Sequence, residues 1–241
     1  MSPDRRTHAR RTTLAIASGC LVALAVAVVT ADPARDPLPQ TQPHMTRPRG
    51  PVLFRDDFSD TTLSAWTRDR AGVWSVRHGL LRAELPNARQ QHSFLYAGSE
   101  EWRDYAVDLD MCMIRGVDKG VAVRVQGDDG IGVDLRGPGY QDVIIQHREW
   151  PMGKARATNA NTVWQHLRVE VVGNRYRVFV NGDLVLEATD KKHHRMNGRI
   201  ALSAYTGGSG ECLVYYDHVV VTALTSPMGA MTGVGVGGSA R

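Results

Sequence analysis

The sequence predicts an all-β domain of two antiparallel sheets packed face to face, a jelly-roll β-sandwich. Three observations predict it. Apolar and polar residues alternate with period two along several runs, turn-forming residues separate those runs at intervals of about ten residues, and no stretch between capping signals sustains a helical period. A single apolar face per strand means a single buried side, and two such sheets bury those sides against each other.

The domain does not begin at the first of the 241 residues. Arg5, Arg6, Arg10 and Arg11 precede an uncharged apolar run from Leu14 to Val29, and Val29-Thr30-Ala31 forms a small-residue cleavage pattern. Residues 1–31 therefore read as an export signal, and the alternative is an uncleaved membrane anchor. Residues 32–50 are rich in Pro, Thr and Gln, as a disordered linker is, and the Gly-rich tail 225–241 is equally unable to pack. Residues 51–224 form the globular domain, outside the cytoplasm, secreted or at the cell surface. The formal net charge is +4, but four Arg against one Asp in residues 1–31 account for most of it, which leaves no electrostatic case for nucleic acid. Once the signal is removed no stable membrane insertion is expected, and the domain is expected to be a monomer.

Within the domain, Val52–Asp56 reads as a first strand leading into an Asp-Asp-Phe turn, with one short turn near Thr62–Trp66. Trp74–Val76 and Leu80–Leu85 flank the hairpin turn His78-Gly79. Tyr105, Val107, Leu109 and Met111 share one face, with Asp108 and Asp110 on the other. Val121, Val123 and Val125 oppose Arg124 and Gln126, and Ile131, Val133 and Leu135 oppose Asp134 and Arg136. Gly127-Asp-Asp-Gly130, Gly137-Pro-Gly139, Gly173-Asn174 and Gly207-Gly-Ser-Gly210 mark turns. Asn181-Gly182, between Tyr176–Val180 and Leu184–Leu186, is the strongest hairpin signal because both turn positions need positive φ.

Several of these segments carry a resemblance. Phe54-Arg-Asp-Asp-Phe58, Gly72-Val-Trp-Ser-Val-Arg-His-Gly-Leu-Leu81, Trp164-Gln-His-Leu-Arg-Val169, Phe179-Val-Asn-Gly182 and Tyr216-Asp-His-Val-Val-Val221 resemble the concanavalin A-like lectin/glucanase superfamily. Within it the chain is most similar to laminin-G-like and 3-keto-disaccharide-hydrolase-like members, over about residues 52–224. The resemblance implies three things. It places the strand of Tyr105–Ile114 beside Leu213–Val221, so that Cys112 and Cys212 would meet in a disulfide. It brings Asp56, Asp57 and Asp217 to one sheet edge, where a structural calcium would find hard oxygen ligands, although Asp-Asp-Phe is equally a turn-former. No other cofactor is required. It also implies a carbohydrate partner, a glycan or oligosaccharide, with Arg124 on a strand after Gly120-Val-Ala-Val and Tyr140 after Gly139 as in the 3-keto-disaccharide-hydrolase-like proteins. Gln141 stands where those proteins have Glu, and the Glu-x-Asp-x-x-Glu strand of laminarinase-type hydrolases is absent.

The residues themselves contain no nucleophile elbow, zinc motif or phosphate-binding glycine loop. Asp108 and Asp110, roughly 6–7 Å apart by strand rise, and Asp134 are the candidate catalytic carboxylates. A sugar site needs aromatic platforms beside planar hydrogen-bonding groups. Arg124, Asp134, Arg136, Gln146 and Arg148 on the polar parity of the middle strands, with Tyr140, His147 and Trp150 beside them, form that set. Arg124 would offer a fork to ring hydroxyls or a uronate, and Trp150 a stacking surface. Three functions remain open: a non-catalytic carbohydrate-binding module, which is the leading reading, a glycoside or 3-keto-glycoside hydrolase, and a protein-binding adhesion module.

Overall fold

The computed structural model describes Pro39 and residues 50–224 apart from Glu149 and His193. The expected export signal 1–31 and tail 225–241 lie outside the described residues, as does the expected linker except Pro39 and Gly50.

The alternation seen in the sequence forms strands throughout: β1 Val52–Asp56, β2 Thr67–Arg68, β3 Trp74–Arg77, β4 Leu80–Leu85, β5 His92–Ala97, β6 Tyr105–Arg115, β7 Asp118–Gln126, β8 Asp129–Arg136, β9 Asp142–His147, β10 Trp150–Arg156, β11 Gln165–Val172, β12 Arg175–Val180, β13 Asp183–Thr189, β14 Arg199–Tyr205 and β15 Cys212–Ala223. One sheet runs β13-β12-β11-β6-β15-β4-β3, with β1 also on β15, and the other runs β10-β9-β8-β7-β14-β5-β2. Every pairing is antiparallel. The architecture is a two-sheet antiparallel β-sandwich of jelly-roll, concanavalin A-like type. Among the described residues no helix is long and apolar enough to cross a membrane.

The inward faces close over one core. Tyr105, Val107, Leu109 and Met111 of β6 meet Val121 and Val123 of β7 and Ile131, Val133 and Leu135 of β8, all fully buried, as the alternation requires. Trp66 and Trp74 lie in the same core, tied by indole N–H bonds to Asp56 (2.6 Å) and Ser93 (2.8 Å). The Asn181-Gly182 hairpin takes the expected conformation, φ 52° and 94°.

Two expectations are corrected. The first is the disulfide: Cys112 and Cys212 are free thiols. In the β15–β6 register Cys112 faces Tyr215, three residues beyond Cys212, and an odd offset puts the two on opposite faces of the sheet. Cys112 packs outside with Ile114, Trp164, Leu213 and Tyr215, whereas Cys212 belongs to the main core. Burial pushes their pKa values up to about 11 and about 12.

The second concerns Arg124. Its φ of 53° marks a bulge, where the β7 register shifts against both β8 and β14. Beyond it the parity reverses, so Arg124 turns inward and is fully buried. Gly198 permits the bulge, since a Cβ there would lie 2.2 Å from the Arg124 carbonyl carbon.

Candidate functional site

The outer face of the second sheet is laid out by register in three rows. The first runs His92, Tyr205, Asp118, Arg136, Asp142, and the second Phe94, Ser203, Gly120, Asp134, Ile144. The third runs Tyr96, Ala201, Ala122, Gly132, Gln146. Large side chains stand at the margins and Gly, Ala and Ser in the middle. The result is a groove of about 640 Å³.

One wall is aromatic. His92 stacks on Tyr205 with ring centroids 3.9 Å apart and planes at 16°, and His92, Phe94 and Tyr96 follow at 6.1 Å intervals along β5. Arg199 lies 4.7 Å over the Tyr96 ring, and the Tyr205 hydroxyl donates to Gln90. Burial lowers the His92 pKa, which favours its neutral form.

Acidic groups border the floor of small residues. Asp134 lies over Gly120, where a Cβ would be 2.1 Å from the Val133 carbonyl oxygen and 2.9 Å from Asp134 Oδ1, so no side chain can stand there. Gln146 Nε2 donates to Asp134 at 3.0 Å and Ser203 Oγ at 3.4 Å. Burial raises the Asp134 pKa to about 7 and the Asp118 charge adds to the rise, against the two hydrogen bonds and Arg136. Asp118 is itself raised, chiefly by burial. Arg136 donates to both oxygens of Asp142, at 2.7 and 2.8 Å, and lies 4.3 Å over the Tyr140 ring.

Of the residues expected at a sugar site, the groove gathers Asp134, Arg136, Tyr140, Gln146 and Arg148. Three are placed elsewhere. Arg124 is inside the sandwich, where its guanidinium donates to the carbonyls of Gly173, Arg195 and Arg103. His147 shares the inward parity of Val143 and Ile145, meets the tilted ring of His194 at 4.2 Å and bonds Asp129 at 3.1 Å. Trp150, 76% exposed, opens strand β10 and does not line the groove.

Asp108 and Asp110 also lie away from the groove, on the outer face of the opposite sheet. There His166 bridges them at 3.3 and 2.8 Å, and Arg168 also bonds Asp108 at 2.5 Å. Burial disfavours charge on His166, but the two carboxylates outweigh it and raise its pKa to about 9. Both are thus buried ion-pair partners. At the sheet edge named for calcium, the carboxylates serve their own turns. Asp56 accepts from Phe58 N (2.7 Å) and the Trp66 indole, Asp57 from Ser59 N (3.2 Å), and Asp217 from His218 N (2.7 Å). Among the described residues no group of three His, Cys, Asp or Glu side chains could hold a metal ion.

The aromatic wall is the part that sequence reasoning missed. His92-Ser-Phe-Leu-Tyr96 carries rings at every second position, a period-two signal for one face of a strand.

Comparison with known proteins agrees with this fold. A family model described as the 3-keto-alpha-glucoside-1,2-lyase-like domain matches residues 53–222. No curated protein matches the chain. Among solved structures, the carbohydrate-binding module CBM66 from Bacillus subtilis is similar at TM-score 0.57 and 15% identity, covering 67% of this chain and 98% of its own. The VIP36 exoplasmic/lumenal domain in its Ca2+/Man3GlcNAc-bound form is similar at 0.56 and 11%, covering 73% and 91%. LamA from Z. galactanivorans, in complex with laminaritriose and laminaritetraose, is similar at 0.53 and 13%, covering 71% and 98%. At such identities the likeness is one of fold.

Proposed function

Because the chain belongs to the 3-keto-alpha-glucoside-1,2-lyase-like domain family, we propose that its groove binds the sugar ring of a glycoside, outside the cytoplasm. The observation that carries this reading is the juxtaposition of His92, Phe94, Tyr96 and Tyr205 with a small-residue floor and the polar groups of Asp134, Gln146 and Arg136. A pyranose has an apolar C–H face that lies on aromatic rings and a rim of hydroxyls that seeks planar donors and acceptors. Gly132, Ala122 and Ala201 leave room for the ring, and the margins supply both kinds of contact.

A second reading, that the bound glycoside also reacts, is favoured by Asp134. In a 3-keto-glycoside the proton at C2 is acidified by the adjacent ketone. A carboxylate can take that proton while the C2–H electron pair forms the C1–C2 double bond and the C1–O bond breaks, the departing oxygen taking a proton from water. A group whose pKa is raised to about 7 by burial is a stronger base than an ordinary carboxylate and is still substantially ionised at neutral pH.

Calorimetric titration with a panel of glycosides tests the binding reading. Tyr205→Ala is expected to weaken binding about tenfold, the worth of one ring-stacking contact, with an unchanged fold by circular dichroism. Full affinity in the Ala variant would count against the aromatic wall.

A further inference from the structure

The groove is unevenly charged. It is lined by the carboxylates Asp118, Asp128, Asp129 and Asp134 and by the guanidiniums Arg136 and Arg148. Both guanidiniums are engaged: Arg136 has its fork on Asp142, and Arg148 Nε donates to Asp129 at 3.2 Å. Asp129 is further neutralised by Arg195 and bonded by His147. Asp118 and Asp134 have no hydrogen-bonded cation, only the through-space charge of Arg136 and, for Asp118, Lys119. Asp134 accepts from the neutral groups of Gln146 and Ser203, and Asp118 faces an Arg136 whose fork is turned to Asp142. Asp128 is exposed at the rim.

Asp118 and Asp134 are diagonal neighbours, because Asp134 pairs with Gly120 two residues along β7, a spacing of about 7–8 Å between Cα atoms. Asp118 pairs with Tyr205 of the aromatic wall and Asp134 borders the Gly132 floor, so a ligand stacked on the wall would lie over this pair. The fork that could have held a uronate, Arg124, is shut inside the sandwich.

We propose that the groove selects sugars by charge, taking a ring that carries an ammonium group ahead of its neutral parent and excluding the corresponding uronate. The proposal rests on the sugar-binding reading and deepens it. An ammonium over Asp118 and Asp134 supplies the counter-charge that the protein withholds, whereas a carboxylate there meets like charge, with Arg136 turned to Asp142 and Arg148 to Asp129. The pKa values of both Asp residues are raised chiefly by burial, against the charge of Arg136.

The test is calorimetry on the full chain with methyl α-glucoside, its 2-amino-2-deoxy analogue and the methyl glucuronide, and with the same trio in the galacto series, at low salt. The amino sugar is expected to bind about five- to tenfold tighter than the neutral glycoside, and the glucuronide at least about tenfold weaker. The preference should shrink at about 0.5 M salt and in Asp118→Asn. A glucuronide that binds as well as the neutral glycoside would overturn charge selection and leave sugar binding standing. So would an amino-sugar preference that neither salt nor Asp118→Asn reduces. If no member of either trio binds the folded protein, the sugar-binding reading itself fails.

Discussion

Replacement of Arg124 by Met is expected to lower the unfolding free energy by about 3–5 kcal/mol, the largest loss from any single side chain discussed above. Arg124 is fully buried, and its two terminal nitrogens serve the carbonyls of Gly173, Arg195 and Arg103, at 3.2 Å to the last two. Asp104 lies 3.5 Å away and the Tyr176 ring 5.5 Å from the guanidinium carbon. One side chain thus ties β7 to the turn before β12, to the approach to β6 and to the segment before β14. Met fills the volume but takes away the donors that Arg124 gives to the Gly173 and Arg103 carbonyls and leaves the Arg195 carbonyl only the Tyr176 hydroxyl, at 3.4 Å. Lys should recover less than half of the loss, because a single ammonium cannot reproduce the planar fork. Urea denaturation of the three proteins measures this. A loss under about 1 kcal/mol accompanied by a loss of glycoside affinity would return Arg124 to the ligand site.

Asp134→Asn is expected to act in opposite directions on stability and on chemistry. The folded-state pKa, about 7, lies above the ordinary value of 3.8, so the native chain holds this proton more tightly than the unfolded chain does. The associated stability is complete below the unfolded value and is lost as pH rises through that window to about 7. Asn carries no such dependence and keeps a hydrogen-bonding shape. The variant should therefore gain on the wild type as pH rises from 4.5 to 8, by on the order of 1–3 kcal/mol. If the glycoside reacts, the same change should cut turnover by about 10²–10⁴-fold while binding persists. Urea melts at the two pH values and a turnover assay with a 3-keto-glycoside read both effects. A stability difference that does not move with pH would show that Asp134 is not held protonated by its surroundings. Turnover that survives in the variant would remove Asp134 from the chemistry.

The sequence was informative wherever alternation ran unbroken. Tyr105 through Met111, Val121 with Val123, and Ile131 through Leu135 all face the core as their period demands. Reading failed at Arg124, because a bulge at a non-glycine residue has no local signature and one extra residue reverses every side chain beyond it. The disulfide failed for a different reason: adjacency of the two strands is legible but their register is not, and the pairing of Cys112 with Tyr215, three residues from Cys212, sets the cysteines on opposite faces. At the groove, Asp134, Arg136 and Gln146 were legible as outward polar residues of adjacent strands. Gly120, Ala122, Gly132 and Ala201 were not, because small residues carry no signal until the sheet order places them side by side.

That small-residue floor offers the most direct test of the central claim, that the groove is where a sugar binds. A Cβ at Gly132 would lie 3.6 Å from Gln146 Cγ and 3.7 Å from Asp134 Oδ2, ordinary contact distances, and the backbone there is not left-handed. Gly132→Leu should therefore fold with a melting temperature within about 4 °C of the wild type while its side chain occupies the middle of the groove. Calorimetric titration of the two proteins with the tightest-binding glycoside is expected to show an affinity loss of at least about tenfold, about 1.4 kcal/mol. Equal affinity in the two proteins would contradict the account and place the ligand away from this sheet.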